Sequence, residues 1–282
     1  LIGIKKGRGA LASKDNMKTN KKGMILAIDM GNTNIVLGCI DNDKVYFEER
    51  LATDINKTEL EYAVIFKTVL DLYEIDKDRI AGAIISSVVP QLVNVVKSAV
   101  EKIIDIRPYV VGPGVKTGLN LLMDEPRRVG SDLVVDAVAA IKNYGTPAIV
   151  IDLGTATTMS VINRKGDYVG GVILPGIQVA LDSLVSRTAQ LPRIALEAPD
   201  KVAGKNTVDC MKSGSIFGNA ACIDGMIDRL AKEMGEDVAD IHIVATGGLA
   251  KIMVPECQHD IVCDNELLLK GLKIIYDKNL AD

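Results

Sequence analysis

Apolar positions recur along this chain with two periods, one of strands and one of helices, and the two alternate. Residues 25–29 form a short apolar run and residues 35–40 another, with Gly31-Asn32-Thr33-Asn34 between them. That pattern predicts strand, polar turn, strand. From 58 to 73 the apolar residues Leu60, Val64, Ile65, Val69 and Leu72 fall at helical spacing behind Thr58-Glu59. Ile84-Ile85 and Val88-Val89 predict a buried strand ended by Pro90, and 91–104 predicts a helix. Tyr109-Val110-Val111 predicts a strand stopped by Gly112-Pro113-Gly114, and 131–143 a helix with an acidic first turn. Gly145-Thr146-Pro147 is the boundary that composition favours.

The second half begins again. Residues 148–152 predict a strand, 154–158 a polar turn and 159–162 a strand. Gly170-Gly171 through Pro175-Gly176 predicts a loop before a helix over 177–187. A long helix over 209–234, a strand over 241–245, the turn Thr246-Gly247-Gly248 and a terminal helix over 267–276 complete the series. Ala27-Ile28-Asp29-Met30-Gly31 and Val150-Ile151-Asp152-Leu153-Gly154 share one pattern, apolar-apolar-Asp-x-Gly. One such Asp-x-Gly is an ordinary hairpin signal. Two copies about one domain length apart, each at a strand–turn–strand, point to a duplicated unit.

Composition narrows the classes. The chain has 282 residues, 48% apolar and 25% charged, with a net charge of −4. That is globular composition, long enough for about two domains. No apolar run approaches the roughly 18 residues of a membrane span. Net acidity, the absence of Trp and 4% aromatics argue against nucleic acid as a partner. Five cysteines without C-x-x-C spacing suit a reducing, cytoplasmic setting. The first segment differs: Lys5, Lys6, Arg8, Lys14, Lys18, Lys21 and Lys22 stand against Asp15 alone, with no signal-peptide core. Met24 directly precedes the first strong strand and reads as the biological start. The expected organisation is a flexible basic or artificially added extension over 1–23, one domain over 24–145 and a second over 146–282.

The two turns carry candidate chemistry. An Asp at a strand end fixes a carboxylate where hydrated Mg²⁺ can sit. The Gly two places on lets backbone approach phosphate oxygens, and Thr and Asn supply short donors. Two such loops across a cleft would clamp a triphosphate, and the 246–248 turn offers bare backbone to a base. Gly130-Ser131-Asp132 opens a helix, where the dipole favours an ionised carboxylate. Asp132 there reads either as an acceptor base or as an ordinary first-turn acid.

Taken together, these motifs resemble those of the actin-like ATPase and sugar-kinase superfamily, and within it the type III pantothenate kinases. The resemblance runs from Met24 nearly to the C-terminus. It rests on 29–34, Ser86-Ser87-Val88-Val89-Pro90, 112–119, 151–158, 170–176, Leu191-Pro192 and 204–207. It implies an α/β fold of two ribonuclease-H-like domains flanking a nucleotide cleft, usually in a homodimer. The implied reaction is ATP-dependent phosphorylation of the pantothenate hydroxyl, the first step of coenzyme A synthesis. The match places Asp29, Met30, Gly31, Asn32, Thr33, Asn34, Ile35 and Val36 on ATP phosphates, with Asp29 also near Mg²⁺. Thr155 aligns with another ATP contact and Asp152 with a monovalent-cation ligand (K⁺ or NH₄⁺). Asp132 aligns with the proton acceptor. Gly130, Ser131, Leu133 and Thr207 align with acceptor contacts.

Two positions depart from the family. Leu133 stands where the family usually has an Arg that grips the substrate carboxylate, and Leu offers neither charge nor donor. Met123 stands where a Tyr is common. Arg127 and Arg128 are nearby in sequence and are candidate replacements. Three readings follow, in this order. The first is a pantothenate kinase with a rearranged acceptor pocket, and the second a kinase of the same architecture for another small hydroxylated metabolite. The third is a non-catalytic nucleotide-binding regulatory relative.

Overall fold

The computed structural model describes residues 18–280. The first lobe opens with β1 (Ile25–Met30), β2 (Asn34–Asp41) and β3 (Lys44–Ala52), an antiparallel meander. Helix α1 (Glu59–Leu72) begins with a capping box between Thr58 and Glu61, which stabilises such a start by about 1 kcal/mol. Strand β4 (Gly82–Ser87), helix α2 (Pro90–Ile104) and strand β5 (Tyr109–Val110) follow. The sheet order is β3-β2-β1-β4-β5, with β4 parallel to β1 and β5 parallel to β4. Strand β6 (Asn120–Leu121) and helix α3 (Ser131–Asn143) lead to the second lobe.

That lobe repeats the plan. Strands β7 (Ala148–Leu153), β8 (Ala156–Ile162) and β9 (Asp167–Pro175) are an antiparallel meander. Helices α4 (Ile177–Ser186) and α5 (Thr207–Met234) precede β10 (His242–Thr246), the short α6 (Ala250–Met253), β11 (Val262–Cys263) and α7 (Leu267–Leu280). The order β11-β10-β7-β8-β9-β6 contains the same arrangement, with β10 parallel to β7 and β11 parallel to β10. The duplication read from two short motifs is therefore a duplication of sheet topology.

The lobes exchange elements. Strand β6 pairs with β9 of the second sheet, and α7 packs its Leu269, Leu272, Ile275 and Tyr276 on the first. Several elements differ from expectation, the turn expected over 154–158 among them, since β8 already begins at Ala156. Residues 170–175 are the end of β9, not a loop; Gly171 lies so close to β8 that a Cβ would stand 2.7 Å from the Met159 carbonyl oxygen, so this glycine marks close packing, whereas Gly170 has open space around it. Pro90 opens α2 at its first turn, where its missing N–H costs nothing; β4 ends earlier, at Ser87. Strand β3 has no counterpart in the sequence reading, because its charged residues hide the two-residue period. Of the stretch expected to stand apart, 1–17 lies outside the described residues. Residues 18–21 are hydrogen-bonded to the first lobe: Lys18 N–H to Asp105 O (2.8 Å), Lys21 N–H to Ala81 O (2.9 Å), and the Tyr276 hydroxyl to Lys21 O (2.8 Å).

Candidate active site

Alternation along a strand decides where its carboxylate points. In β1, Leu26, Ile28 and Met30 enter the core shared with α1 and α2, while Ile25 and Ala27 enter the core shared with α3 and α7. Asp29 continues the second series. In β7, Ile149, Ile151 and Leu153 join α5 and α6, while Ala148 and Val150 join α3. Asp152 continues that series. Helix α3 lies between the sheets, with Val135 and Val138 in one core and Ala137 and Ala140 in the other. Both carboxylates therefore face α3, which carries Asp132 in its first turn and Asp136 one turn later on the same face.

The turns after β1 and β7 are each closed by the N–H of their glycine, the first turn being one residue longer. Gly31 N–H donates to Asn34 O and Gly154 N–H to Ala156 O, both at 3.0 Å. The two turns meet across the cleft, where the Thr33 and Thr155 hydroxyls are 2.9 Å apart. The third turn closes on them. Gly247 has φ +92°, and a Cβ there would lie 2.4 Å from Asp152 Oδ1 and 2.7 Å from Leu153 O, so only glycine fits.

These elements enclose a cavity of about 130 Å³ that touches Asp29, Arg50, Asp136, Asp152, Thr155 and Thr246. Burial pushes the Asp29 carboxyl up to about 7; a hydrogen bond from Ser86 opposes this, and Asp132 and Asp152 add to it. Burial, then Asp132, push Asp152 up to about 6, against the nearby Arg50 cation. Asp136 is raised by burial first and by Asp152, Asp132 and Asp29 after it. The Oδ1 atoms of Asp29 and Asp136 are buried without a hydrogen-bond partner. A bound cation would relieve these strains, so the residues fit one. Among the described residues no three acidic, His or Cys side chains converge as a ready-made metal cage. The fit is to a cation that keeps ligands of its own, such as water or phosphate.

A larger cavity of about 630 Å³ adjoins the first turn of α3. Asp132, Leu133, Met123, Tyr168, Val172 and Arg128 line it. Arg128 is the only basic residue among the described residues there, and it pairs with Glu125 at 2.9 Å. Burial raises the Asp132 carboxyl, outweighing hydrogen bonds from backbone N–H groups, Leu133 among them. The helix terminus expected to keep Asp132 ionised is thus overcome by desolvation.

Both the sequence and the fold have known relatives. The family model for type III pantothenate kinase matches residues 25–229. The chain belongs to the type III pantothenate kinase family. A type III pantothenate kinase of Halalkalibacterium halodurans is 45% identical over 257 residues, 91% of this chain and 100% of the relative. One from Exiguobacterium sp. is 43% identical over 256 residues, 91% of this chain and 99% of the relative. Among solved structures, MreB 5 of Spiroplasma citri bound to AMPPNP matches with TM-score 0.54 at 11% identity, covering 92% of this chain and 98% of that one. The (R)-2-hydroxyglutaryl-CoA dehydratase component A of Acidaminococcus fermentans gives 0.51 at 15%, covering 92% and 100%. At such identity these two show the fold alone, the two-lobed actin-like ATPase fold.

In this type III pantothenate kinase fold the expected residues divide. Asp29, Asn34, Val36, Asp152 and Thr155 line the small cavity, and Asn32, Gly130, Asp132 and Leu133 the large one. Met30 and Ile35 are fully buried in the β1–β2 core, so only their backbone is available to a ligand. The Ser131 hydroxyl is taken up by Ser86 Oγ and by the N–H and C=O of Ser87, each at 2.9 Å. It pins α3 to the end of β4. Thr207 is not brought to Asp132: it lines a separate groove of about 440 Å³ with Ile177, Leu181 and Cys210. Arg50 and Asp136 were missed. An acid four residues after Asp132, inside the apolar run Val134 to Ala140, was a readable signal for Asp136. Nothing local marks Arg50.

Proposed function

We propose that the protein transfers the γ-phosphoryl group of ATP to the hydroxyl of pantothenate, the opening step of coenzyme A synthesis. One observation carries the reading: two Asp-x-Gly turns meet across a cleft whose floor is α3, with Asp132 where that floor opens into the larger cavity. A kinase of this family implies ATP with a divalent metal, and the metal, when bound, neutralises phosphate charge. The backbone of 30–35 and the Thr33 and Thr155 hydroxyls hold the phosphates. The bare Gly247-Gly248 backbone takes the adenosine end. Asp29 holds the divalent cation, and Asp152 a monovalent one, K⁺ or NH₄⁺.

Asp132 orients the acceptor alcohol and receives its proton as the new O–P bond forms and the β–γ bridge breaks. Its raised proton affinity suits a base. The larger cavity receives pantothenate. Leu133 gives the substrate carboxylate nothing, and Arg128 supplies the charge instead. Thr207 reaches acceptor only in a homodimer, from a second copy; exposed Val179, Leu184 and Val208 on α4 and α5 support such a face. Among the described residues no helix is long and apolar enough to cross a membrane, and the proposed setting is the cytoplasm.

The test is ADP formation from ATP and Mg²⁺ with pantothenate, with the product mass measured. Pantothenate-dependent ADP release with one phosphate added to pantothenate is expected. Release with another alcohol and none with pantothenate would transfer the reading to a different acceptor.

A further inference from the structure

Asp136 is the residue that the motifs leave out and the cleft does not explain. It is 2% exposed. Its neighbours on α3, Val134, Val135, Ala137 and Val138, are apolar and buried. An alanine or valine would pack there without any polar debt. Instead a carboxylate borders the small cavity with Asp29 and Asp152, and its Oδ1 has no partner. Unpaired buried carboxylates side by side are costly unless something positive joins them. The basic side chain at this cavity, Arg50, lies within 3.6 Å of Glu48 and is half-exposed. Lys270 on α7 is committed to Asp264 through both carboxylate oxygens at 2.9 Å. Neither partners Asp136.

The spacing of the acids limits what can. They surround one cavity, yet no three converge on a point. A cation stripped of water would find too few direct ligands. Magnesium keeps several waters and takes only one or two carboxylates directly. We propose that Asp136 is a positioning residue for the hydrated divalent cation that enters with the nucleotide, accepting a hydrogen bond from a cation-bound water through Oδ1. Asp29 holds the same ion, and Asp152, which takes the monovalent cation, borders the same cavity. The proposal rests on the nucleotide half of the proposed function and not on the identity of the acceptor.

The test uses the full chain with the non-hydrolysable analogue AMPPNP and Mn²⁺ in place of Mg²⁺, read by electron paramagnetic resonance. Asp136→Asn should weaken Mn²⁺ binding about tenfold, as the loss of an outer-shell partner does. Its melting temperature without metal should equal or exceed that of the unaltered protein, since a repulsion is removed, while the increment gained from Mg²⁺ and AMPPNP should shrink. A superimposable Mn²⁺ isotherm would overturn the proposal and leave Asp136 a neutral buried acid. So would an altered K⁺ response with Mn²⁺ binding unchanged. Asp136→Ser carries the same expectation should the amide not fold. Failure of both to fold would also overturn it, because a cation partner is not needed to fold the metal-free chain. Tight Mn²⁺–AMPPNP binding without pantothenate turnover would instead remove the proposed acceptor and leave Asp136 in place.

Discussion

The two cavities on either side of α3 solve opposite problems. The phosphate side is small, about 130 Å³, and is walled by buried carboxylates and tight turns. The acceptor side is about 630 Å³, and Met123, Leu133, Val172 and Tyr168 make much of its wall. One is held by backbone: two glycine-closed hairpin turns, a glycine at φ +92° and hydroxyls in contact across the cleft. The other is shaped by side chains from β6 to α3 and from β8 and β9. A backbone cradle accepts any ligand with the right phosphates, whereas a side-chain wall is retuned by single substitutions. The departures at Leu133 and Met123 both fall on the acceptor side. A fixed transfer chemistry with an adjustable acceptor has this division.

The largest expected effects separate the two sides. Asp29→Asn should remove nearly all phosphoryl transfer, about a thousandfold or more, together with metal-dependent nucleotide binding, because an amide cannot balance cation charge. Asp132→Asn should lower kcat by about a hundredfold to ten-thousandfold, the range for a lost base, with KM for ATP almost unchanged. Steady-state kinetics with ATP and pantothenate varied in turn reads both. Equal loss of ATP affinity in the two variants would mean that the cavities are one site energetically.

Much of the phosphate side was legible in the sequence because it is local. Asp29 and Gly31, or Asp152 and Gly154, need only a strand end and a turn, and both are written in short patterns. The duplicated sheet order followed from the same repeat. Asp136 was half-legible, as an acid inside an apolar helical run. Arg50 was not, because it reaches the cleft only through the pairing of β3 with β2 and the approach of the second lobe to it. A Cβ at Gly248 would stand 2.8 Å from its Nη1. The placement of Thr207 away from Asp132 was equally hidden. Spacing in sequence says nothing about which of two grooves α5 borders. The reading of 170–175 as a loop failed because glycine marks close strand packing as well as turns.

Charge in the phosphate cavity without ligand sets a pH dependence of stability. Burial raises Asp29 to about 7 and Asp152 to about 6. Below about pH 4 both are neutral whether the chain is folded or unfolded. Between there and about pH 7 the unfolded chain releases protons that the fold retains. Stability must then fall as pH rises through this window and level off above it. Urea midpoints in chelator at pH 5 and pH 8 should show the loss, and Asp29→Asn should show less of it. Mg²⁺ with AMPPNP should raise the midpoint more at pH 8 than at pH 5. A larger loss in the variant than in the unaltered protein would remove Asp29 as its source.

The acceptor side supplies the smallest expected effect and the sharpest question about its wall. Arg128 is the cation lining this cavity, but its side chain is 80% exposed and shared with Glu125. A charge-assisted hydrogen bond is worth roughly 1.5–3 kcal/mol when well sheltered, and an exposed pair far less. Arg128→Ala should therefore raise KM for pantothenate by only about threefold to tenfold, with kcat and KM for ATP little changed. Glu125→Gln should act oppositely, by freeing the guanidinium. Leu133 lines the same cavity from the first turn of α3, nearer the helix N–H groups that favour an anion. Leu133→Arg in the Arg128→Ala background should restore binding if the cavity needs one cation for the substrate carboxylate. If Arg128→Ala leaves KM for pantothenate unaltered while Leu133→Arg lowers turnover, the wall is built for an acceptor end without charge. The comparison between the two sides would then sharpen into a comparison between a charged site and an uncharged one.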